Sequence, residues 1–410
     1  MPTLLSINNY YYRRAGAEAV FFEHNALFEK IGWQVLPFCM HHPLNLPSQW
    51  SEFFVDELEF GSEYSLWEKL AMATKVVYSL EARRKVDALI TKVRPDIVHA
   101  HNLYHHISPS ILGLLKARNL PVFLTLHDLK IACPAYKMLS HDGVCERCKA
   151  GHLSQVVVNR CVKDSLTVSA LAFAEAVVHR WLKTYSTYVD RFIVPSRFYL
   201  HKLVEWGWNA DRFVHIPNFV HTASLQPDFT PGSSFVYFGR LAPEKGLRTL
   251  VKASAMAKLK VDLIGTGPEE DDLRRLVAET GADVELHGFM SGNALYDLIR
   301  SARAVVLPSE WYENAPISLM EAYALGKPVI GAAIGGIPEL ILAGETGNSF
   351  VSGDAESLAA VMQEFAGLPE WQVEQMGRAG RQWMETDFSP DAYRERLLAI
   401  YRQFGAGNDF

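Results

Sequence analysis

The amino-acid sequence predicts an α/β protein built of two doubly wound, Rossmann-like domains facing each other across a cleft. Length is one reason: 410 residues and 46.1 kDa exceed what one ordinary core holds, and domains of roughly 150–200 residues are the usual solution. A second reason is a repeated series of short apolar, β-branched runs. In the first half these are Leu4–Asn8, Gln34–Cys39, Ile97–His101, Val122–His127 and Phe192–Pro195. In the second half they are Phe235–Gly239, Val261–Gly265, Val284–Gly288, Ala304–Pro308 and Pro328–Ala332. Continuous apolar runs, in place of strict alternation, mark strands covered on both faces, as in parallel sheets. The third reason is helical spacing between the runs, clearest in Ala17–Gly32, Leu247–Lys258 and Glu269–Thr280.

Three prolines and small polar residues without helical periodicity make Ile216–Ser234 a linker. The expected organisation is a first domain at 1–217, a linker at 218–233, a second domain at 234–388 and a terminal segment at 389–410. That last segment, with Pro390–Phe404 reading as a helix, is expected to pack back on the first domain. Forty Lys and Arg stand against 46 Asp and Glu, a formal charge of −6, which argues against a nucleic-acid-coating protein. Five cysteines are too few for a disulfide scaffold in a chain this long. The start, MPTLLSINNYYYRR, lacks the pattern of a secretory leader. The expected location is therefore the cytoplasm.

Several common chemistries lack their motifs. No two aspartates stand two residues apart, so an Asp-x-Asp metal clamp is missing. No GxxxxGK[ST] phosphate loop occurs, and Gly265-Thr266-Gly267 lacks the third glycine of a dinucleotide fingerprint. The informative segment is Pro308–Ala322, PSEWYENAPISLMEA. A strand ends near Pro308, a loop follows, and Pro316 suits the first turn of a helix. The free backbone N–H groups of Ile317 and Ser318 then form an anion-binding helix start. Glu313 lies in the loop and Glu321 one turn inside the helix, placed to accept hydrogen bonds from hydroxyls at either end of a diphosphate. As isolated glutamates they would sooner read as a helix cap and a solvated or salt-bridged face residue; the surrounding motif reverses that. Upstream, Gly239–Gly246, GRLAPEKG, ends another strand. There Arg240 offers a planar fork for phosphate oxygens and Lys245 a compact charge, or both are plain surface cations.

Together these segments resemble the GT-B glycosyltransferases, specifically the large retaining family 4 in its bacterial polysaccharide-type members. The resemblance covers essentially the whole chain. It rests on Glu313-x7-Glu321 with the trailing AYALGKPV, on GRLAPEKG, on Thr125–Asp128 (TLHD) at a strand end, and on Arg14–Glu18 (RAGAE) after the first strand. It implies transfer of a sugar from a nucleoside diphosphate donor, UDP or GDP, to a hydroxyl of a glycan or lipid-linked acceptor, with retained configuration and no catalytic metal. Arg240 and Lys245 would bind the donor diphosphate. Glu313 would lie near the donor sugar hydroxyls and Glu321 would hold the ribose hydroxyls. Asn314, Ala315, Pro316 and Ile317 would supply a turn that contacts sugar and phosphate. Gly16 matches the second glycine of the family's first loop, whose first glycine is Ala15 here. His127 matches the histidine that faces the donor sugar. Asp128 beside it would orient that imidazole or cap the next segment. Base recognition is expected near Gly288-Phe289-Met290. Epimerase, phosphorylase and non-catalytic sugar-nucleotide sensor or subunit are the competing readings.

Residues 131–161 form a long polar loop with the spacing Cys133-x11-Cys145-x2-Cys148-x12-Cys161. A Cys-x2-Cys knuckle flanked by two further cysteines offers four thiolates to a structural zinc; the alternative is four reduced thiols in a self-packed loop. Beyond it, Leu166–Tyr185 is an apolar helix trailed by His179, Arg180 and Lys183. It reads either as core or as an interfacial helix of a peripheral enzyme at the inner membrane face, working on a polyprenyl-linked acceptor.

Overall fold

In a computed structural model, which describes residues 1–58 and 66–405, the chain forms two parallel six-stranded sheets. The first half contributes β1 (Thr3–Asn8), β2 (Gln34–Phe38), β3 (Ile97–Asn102) and β4 (Val122–Thr125). A small antiparallel hairpin, β5 (Leu139–Ser140) with β6 (Gly143–Val144), follows, then β7 (Arg191–Val194) and β8 (Phe213–His215). The second half contributes β9 (Phe235–Phe238), β10 (Val261–Ile264), β11 (Val284–Gly288), β12 (Ala304–Leu307), β13 (Val329–Ala332) and β14 (Gly347–Phe350). The strand orders are β2-β1-β3-β4-β7-β8 and β11-β10-β9-β12-β13-β14. Each order reverses direction once, between β1 and β3 in one sheet and between β9 and β12 in the other. In doubly wound sheets the crevice at such a reversal, beyond the strand carboxyl ends, is where ligands bind.

Why the strands read as unbroken apolar runs is visible in their packing. Phe235 and Tyr237 of β9 enter one buried cluster, while Val236 and Phe238 enter the cluster on the opposite face. Ala304 and Val306 against Val305 and Leu307 repeat this in β12. With no solvated face, no polar alternation survives. The first sheet is covered in the same way, Leu5 and Ile7 on one side and Leu4 on the other.

That second face of the first sheet is closed from the far end of the chain. The helix Pro390–Arg402 buries Tyr393, Leu397, Leu398 and Tyr401 among Leu4, Phe28, Trp33, Ile97 and Phe123. Phe219, within the expected linker, joins the same cluster and lies 4.5 Å, ring to ring, from Tyr393.

Besides the hairpin strands β5 and β6, two strands of the large sheets have no counterpart in the sequence reading. β8 is three residues long and runs straight into the proline-rich stretch, and β14, Gly-Asn-Ser-Phe, is poor in strand formers. Both are edge strands held by a single neighbour. The apolar helix expected to reach Tyr185 ends at Trp181, because Lys183 adopts a left-handed backbone (φ 50°) and a short helix, Thr184–Tyr188, restarts beyond it. Pro316 lies one residue outside the helix Ile317–Ala324, at its N-cap, and not in its first turn.

Candidate functional site

Both segments singled out by sequence leave the second sheet at its reversal point: 239–246 follows β9 and 308–316 follows β12. Their mutual approach is set by Gly246. It has φ +66°, and a Cβ there would lie 2.0 Å from the Pro308 carbonyl oxygen; only glycine permits that contact. The Glu310 N–H donates to the Glu244 carbonyl at 3.0 Å, tying the same two loops. Lys245 is thereby delivered to Glu313, with Nζ 2.6 Å from Oε1. Ser309 Oγ donates to that same oxygen at 2.8 Å, and the ammonium stands 5.2 Å from the centre of the Trp311 ring. Burial alone would raise the Glu313 carboxyl, but the Lys245 charge and the bonds from Lys245 and Ser309 hold it below its ordinary value.

Arg240 projects from the end of β9 with its side chain half exposed and pairs with buried Glu244. Lys137, from the cysteine-bearing loop of the first half, reaches the same carboxylate at 3.3 Å. Burial raises Glu244, and the backbone bond with the Lys137 and Arg240 charges outweighs it, so this carboxyl too is held down. Three cations thus surround two ionised buried carboxylates. Sequence reasoning found Arg240, Lys245 and Glu313 but not Lys137 or the anionic role of Glu244. The only signal for Glu244 was its place in GRLAPEKG, and Lys137 had none.

Gly265-Thr266-Gly267 has a packing role in this loop cluster. A Cβ on Gly265 would sit 1.9 Å from the Gly239 carbonyl, and the Leu241 N–H donates to the Thr266 carbonyl at 3.0 Å. The glycines let the loop after β10 lie flat against the one that carries Arg240.

The loop after β12 also grips the first half. Asn314 Nδ2 donates to the carbonyls of Leu126 (2.9 Å) and His127 (3.4 Å), and Oδ1 accepts from Ser196 Oγ at 2.8 Å. Its side chain is therefore engaged between the halves. Asn218 Nδ2 donates to the Ala315 carbonyl at 3.1 Å. Gly16 faces Ile317: a Cβ at Gly16 would meet Ile317 Cδ1 at 3.6 Å. Ala15 is extended (φ −155°), so alanine there is unstrained, and Glu18 accepts from its N–H at 3.1 Å. Phe289 stands apart. It follows β11 at the sheet edge, two strands from β9, and the residue is 76% exposed.

His127 ends the run that contains β4. Its Nε2 is 3.1 Å from His101 Nδ1, and the two rings stack. Burial lowers His127 to about 4, so it is neutral at pH 7. His101 stacks in turn on His99, whose Nε2 meets Thr125 Oγ1 at 2.7 Å and whose Nδ1 meets Tyr401 of the terminal helix. His101, and not Asp128, is thus what orients the imidazole. Asp128 instead caps the next turn, accepting from the Lys130 N–H at 2.9 Å, and burial raises it to about 6. The sequence signal for this partner was His99-x-His101 inside a buried strand. Cys133, Cys145, Cys148 and Cys161 all line one small cavity within the loop that carries Lys137.

Comparison with known proteins matches these two halves separately. The family described as Glycosyltransferase Family 4 matches residues 15–224, and that described as Glycosyl transferases group 1 matches residues 229–383. A putative colanic acid biosynthesis glycosyltransferase of Salmonella typhimurium is 28% identical over 199 residues, covering 46% of this chain and 48% of that protein. The amylovoran biosynthesis glycosyltransferase of Erwinia amylovora is 29% identical, covering 52% and 56%. The chain thus spans about half the length of these relatives. A sulfoquinovosyl transferase of Arabidopsis thaliana is 33% identical over 76% of this chain and 57% of its own. Among solved structures, sucrose-phosphate synthase from Thermosynechococcus elongatus superposes with a TM-score of 0.71 at 20% identity over all of both chains. Anabaena HepE in complex with UDP does so at 0.67 and 15% identity, covering 98% and 100%. These likenesses establish a GT-B fold.

Glu321 gives this site a testable pH dependence. It lies one turn inside Ile317–Ala324, and burial pushes its carboxyl up to about 7 from 4.5. Between those values the unfolded chain releases a proton that the folded chain keeps, so this group's contribution to stability falls as pH rises from about 4.5 to about 7. Glu321→Gln is expected to remove that part of the slope. Melting temperatures of both proteins between pH 4.5 and 8 check it; parallel curves would contradict it.

Proposed function

We propose a sugar-nucleotide transferase, on the premise that this chain belongs to glycosyltransferase family 4. Its reaction moves a sugar from a nucleoside diphosphate to a hydroxyl of a growing glycan, in the synthesis of a cell-surface polysaccharide. The observation that carries the reading is the Lys245–Glu313 contact at the sheet reversal, beside Arg240 and the start of the helix Ile317–Ala324. A diphosphate is the ligand this arrangement suits. Arg240 forks onto its oxygens, Lys245 adds a point charge, and the first-turn amides of Ile317 and Ser318 have no intrahelical acceptor. Glu313, ionised behind Lys245, accepts from donor-sugar hydroxyls, and Glu321 from the ribose. The exposed ring of Phe289 is available to stack on a base. Relatives that act in colanic acid and amylovoran synthesis, and a structural neighbour holding UDP, support the same assignment.

The chemistry follows from where charge develops. As the bond between the anomeric carbon and the phosphate oxygen breaks, negative charge accumulates on the diphosphate, where Arg240, Lys245 and the helix start already point their positive ends. The acceptor oxygen bonds to the same face of the anomeric carbon, and its proton passes to the departing phosphate oxygen. That front-side course retains configuration without a covalent nucleophile or a metal. His127, neutral and fixed by His101, donates to or accepts from a sugar hydroxyl. Closing the halves over the reactants excludes water and limits donor hydrolysis.

Lys245→Ala and Glu313→Ala are each expected to keep the fold and lose transfer by roughly 100-fold or more, as removal of one preorganised charge contact does. Steady-state rates with donor and acceptor check this, and near wild-type rates in both would sink the assignment.

We place the acceptor on a membrane-bound carrier. The helix Leu166–Trp181 turns Ser169, Glu175 and His179 inward and leaves Leu166, Val177 and Trp181 exposed, with Arg180 and Lys183 beside them. Although Ala172 and Phe173 also pack inward, the helix presents apolar and basic groups together on its outer face, as an interfacial helix does. Among the described residues no helix is long and apolar enough to cross a membrane. The full chain is expected to float with anionic phospholipid vesicles, and Trp181→Glu to float less. All wild-type protein remaining in the unbound fraction would count against the contact.

A further inference from the structure

The loop from Ile131 to Cys161 holds its shape with little regular structure of its own. Its hairpin pairs two residues per strand, and its helical pieces, Lys149–Gly151 and Gln155–Val158, are three and four residues long. Isolated pairings of this size are marginal in water. The loop also carries non-glycine residues in the left-handed backbone region: Tyr136, Met138, Ala150 and Arg160. Each costs on the order of 1 kcal/mol or more and persists only where surrounding structure over-determines it.

What the loop does possess is a centre. Cys133, Cys145, Cys148 and Cys161, separated by as many as 28 positions in sequence, all line one cavity of about 10 Å³. That is room for a single atom-sized occupant. The remaining wall is largely apolar, with Ala135, Met138, Leu139, Val156 and Trp206. Local backbone contacts hold each of the four cysteines in place. Cys133 accepts from the Tyr136 N–H at 2.8 Å, the Cys145 N–H donates to the Met138 carbonyl at 2.8 Å just past the hairpin, and the Cys161 N–H donates to the Val156 carbonyl at 3.0 Å. Cys148 caps the helical turn that starts at Lys149. All are free thiols, and the fifth cysteine, Cys39, lies elsewhere in a cluster with Phe21 and Phe54.

We propose that Cys133, Cys145, Cys148 and Cys161 bind one zinc ion as a tetrahedral four-thiolate centre that fixes the loop 131–161. Four sulfur ligands select zinc or iron among common metals, and structural zinc sites are closed by four protein ligands with no open position. No three of the four sulfurs lie within 4.8 Å of one another, so a bound ion would draw them together from the walls of the cavity they share. Among the described residues two groups of three donors do meet that spacing, and both are already engaged. In His24/His99/His101, both ring nitrogens of His99 already have partners. In Asp262/Glu285/His287, the carboxylates pair with Lys260 and with His287 itself.

The centre would reach the cleft through Glu146, inside the Cys145–Cys148 knuckle. Its carboxylate accepts from Tyr312 Oη at 2.8 Å and from Lys202 Nζ at 2.7 Å. Tyr312 directly precedes Glu313, and Lys137 of the same loop meets Glu244. A zinc that holds the loop therefore holds two of the contacts that join it to the second half. The centre stands apart from the transferase assignment, and its failure leaves that assignment untouched.

The test is metal analysis of the full-length chain, purified without metal-affinity resin or chelator. The expected result is about one zinc per chain. On the wild-type protein, titration with p-hydroxymercuribenzoate in the presence of a chromogenic zinc indicator should release that zinc as about four thiols react. Cys145→Ser with Cys148→Ser should abolish it, while Cys39→Ser should retain it. If the double variant does not fold, the mercurial titration decides on the wild type alone. Substoichiometric metal, iron in place of zinc, or a disulfide among the four in non-reducing mass spectrometry would each overturn the proposal.

Discussion

The contact between Lys245 and Glu313 joins the two loops that leave the second sheet at its reversal, and most of the site's geometry depends on it. Glu313 is buried, and a buried carboxylate without a partner would be protonated or would open the loop that carries it. Lys245 reaches it only because Gly246 lets one loop lie directly on the Pro308 carbonyl, a contact closed to every residue with a Cβ. The pair thus links backbone shape to charge: the loop after β12 holds its anion because the loop after β9 brings its cation. Removing either partner leaves an uncompensated charge in a poorly hydrated place, the costly way to break such a pair. A bound diphosphate would share Lys245 with Glu313 without replacing it, so the cation is positioned before a donor arrives.

The same loops also fix how the halves meet. Asn314 binds the backbone at Leu126 and His127, Glu146 takes the Tyr312 hydroxyl, and Glu339 accepts from the Arg197 and Phe198 amides at the start of the helix Arg197–Glu205. Behind them, the terminal helix Pro390–Arg402 packs on the first sheet, so a chain that has finished the second half returns to close the first. Its Tyr401 touches His99, the stack continues through His101, and it ends at His127, just past the end of β4. That imidazole is therefore held neutral by burial and partnered through a chain of rings that reaches back to the last helix.

Legibility in the sequence followed physical cause. Most of the ten strands read from the sequence are buried on both faces and so form apolar runs, the half-exposed edge β11 being the exception, whereas β8 and β14 are short edges whose residues carry no such imprint. Arg240, Lys245, Glu313 and Glu321 stood out because each lies at a fixed offset from a strand end or helix start. Lys137, Ser196 and Asn218 did not, because a contact between distant segments leaves no local pattern. Of the two roles open to Asp128 it takes the cap, and the partner of the imidazole is His101, which lies on the neighbouring strand and not next in sequence. Adjacency in the chain is a poor guide to adjacency in a parallel sheet.

The central claim is that a nucleoside diphosphate seats at the reversal of the second sheet without a metal. Calorimetric titration of the full chain with UDP, GDP, ADP, CMP and dTDP, with and without EDTA, tests it most directly, with Lys245→Ala as the control. The account predicts that one nucleoside diphosphate binds, keeps its affinity in EDTA, and loses it in the variant. Binding that EDTA abolishes, or that Lys245→Ala leaves intact, would contradict it.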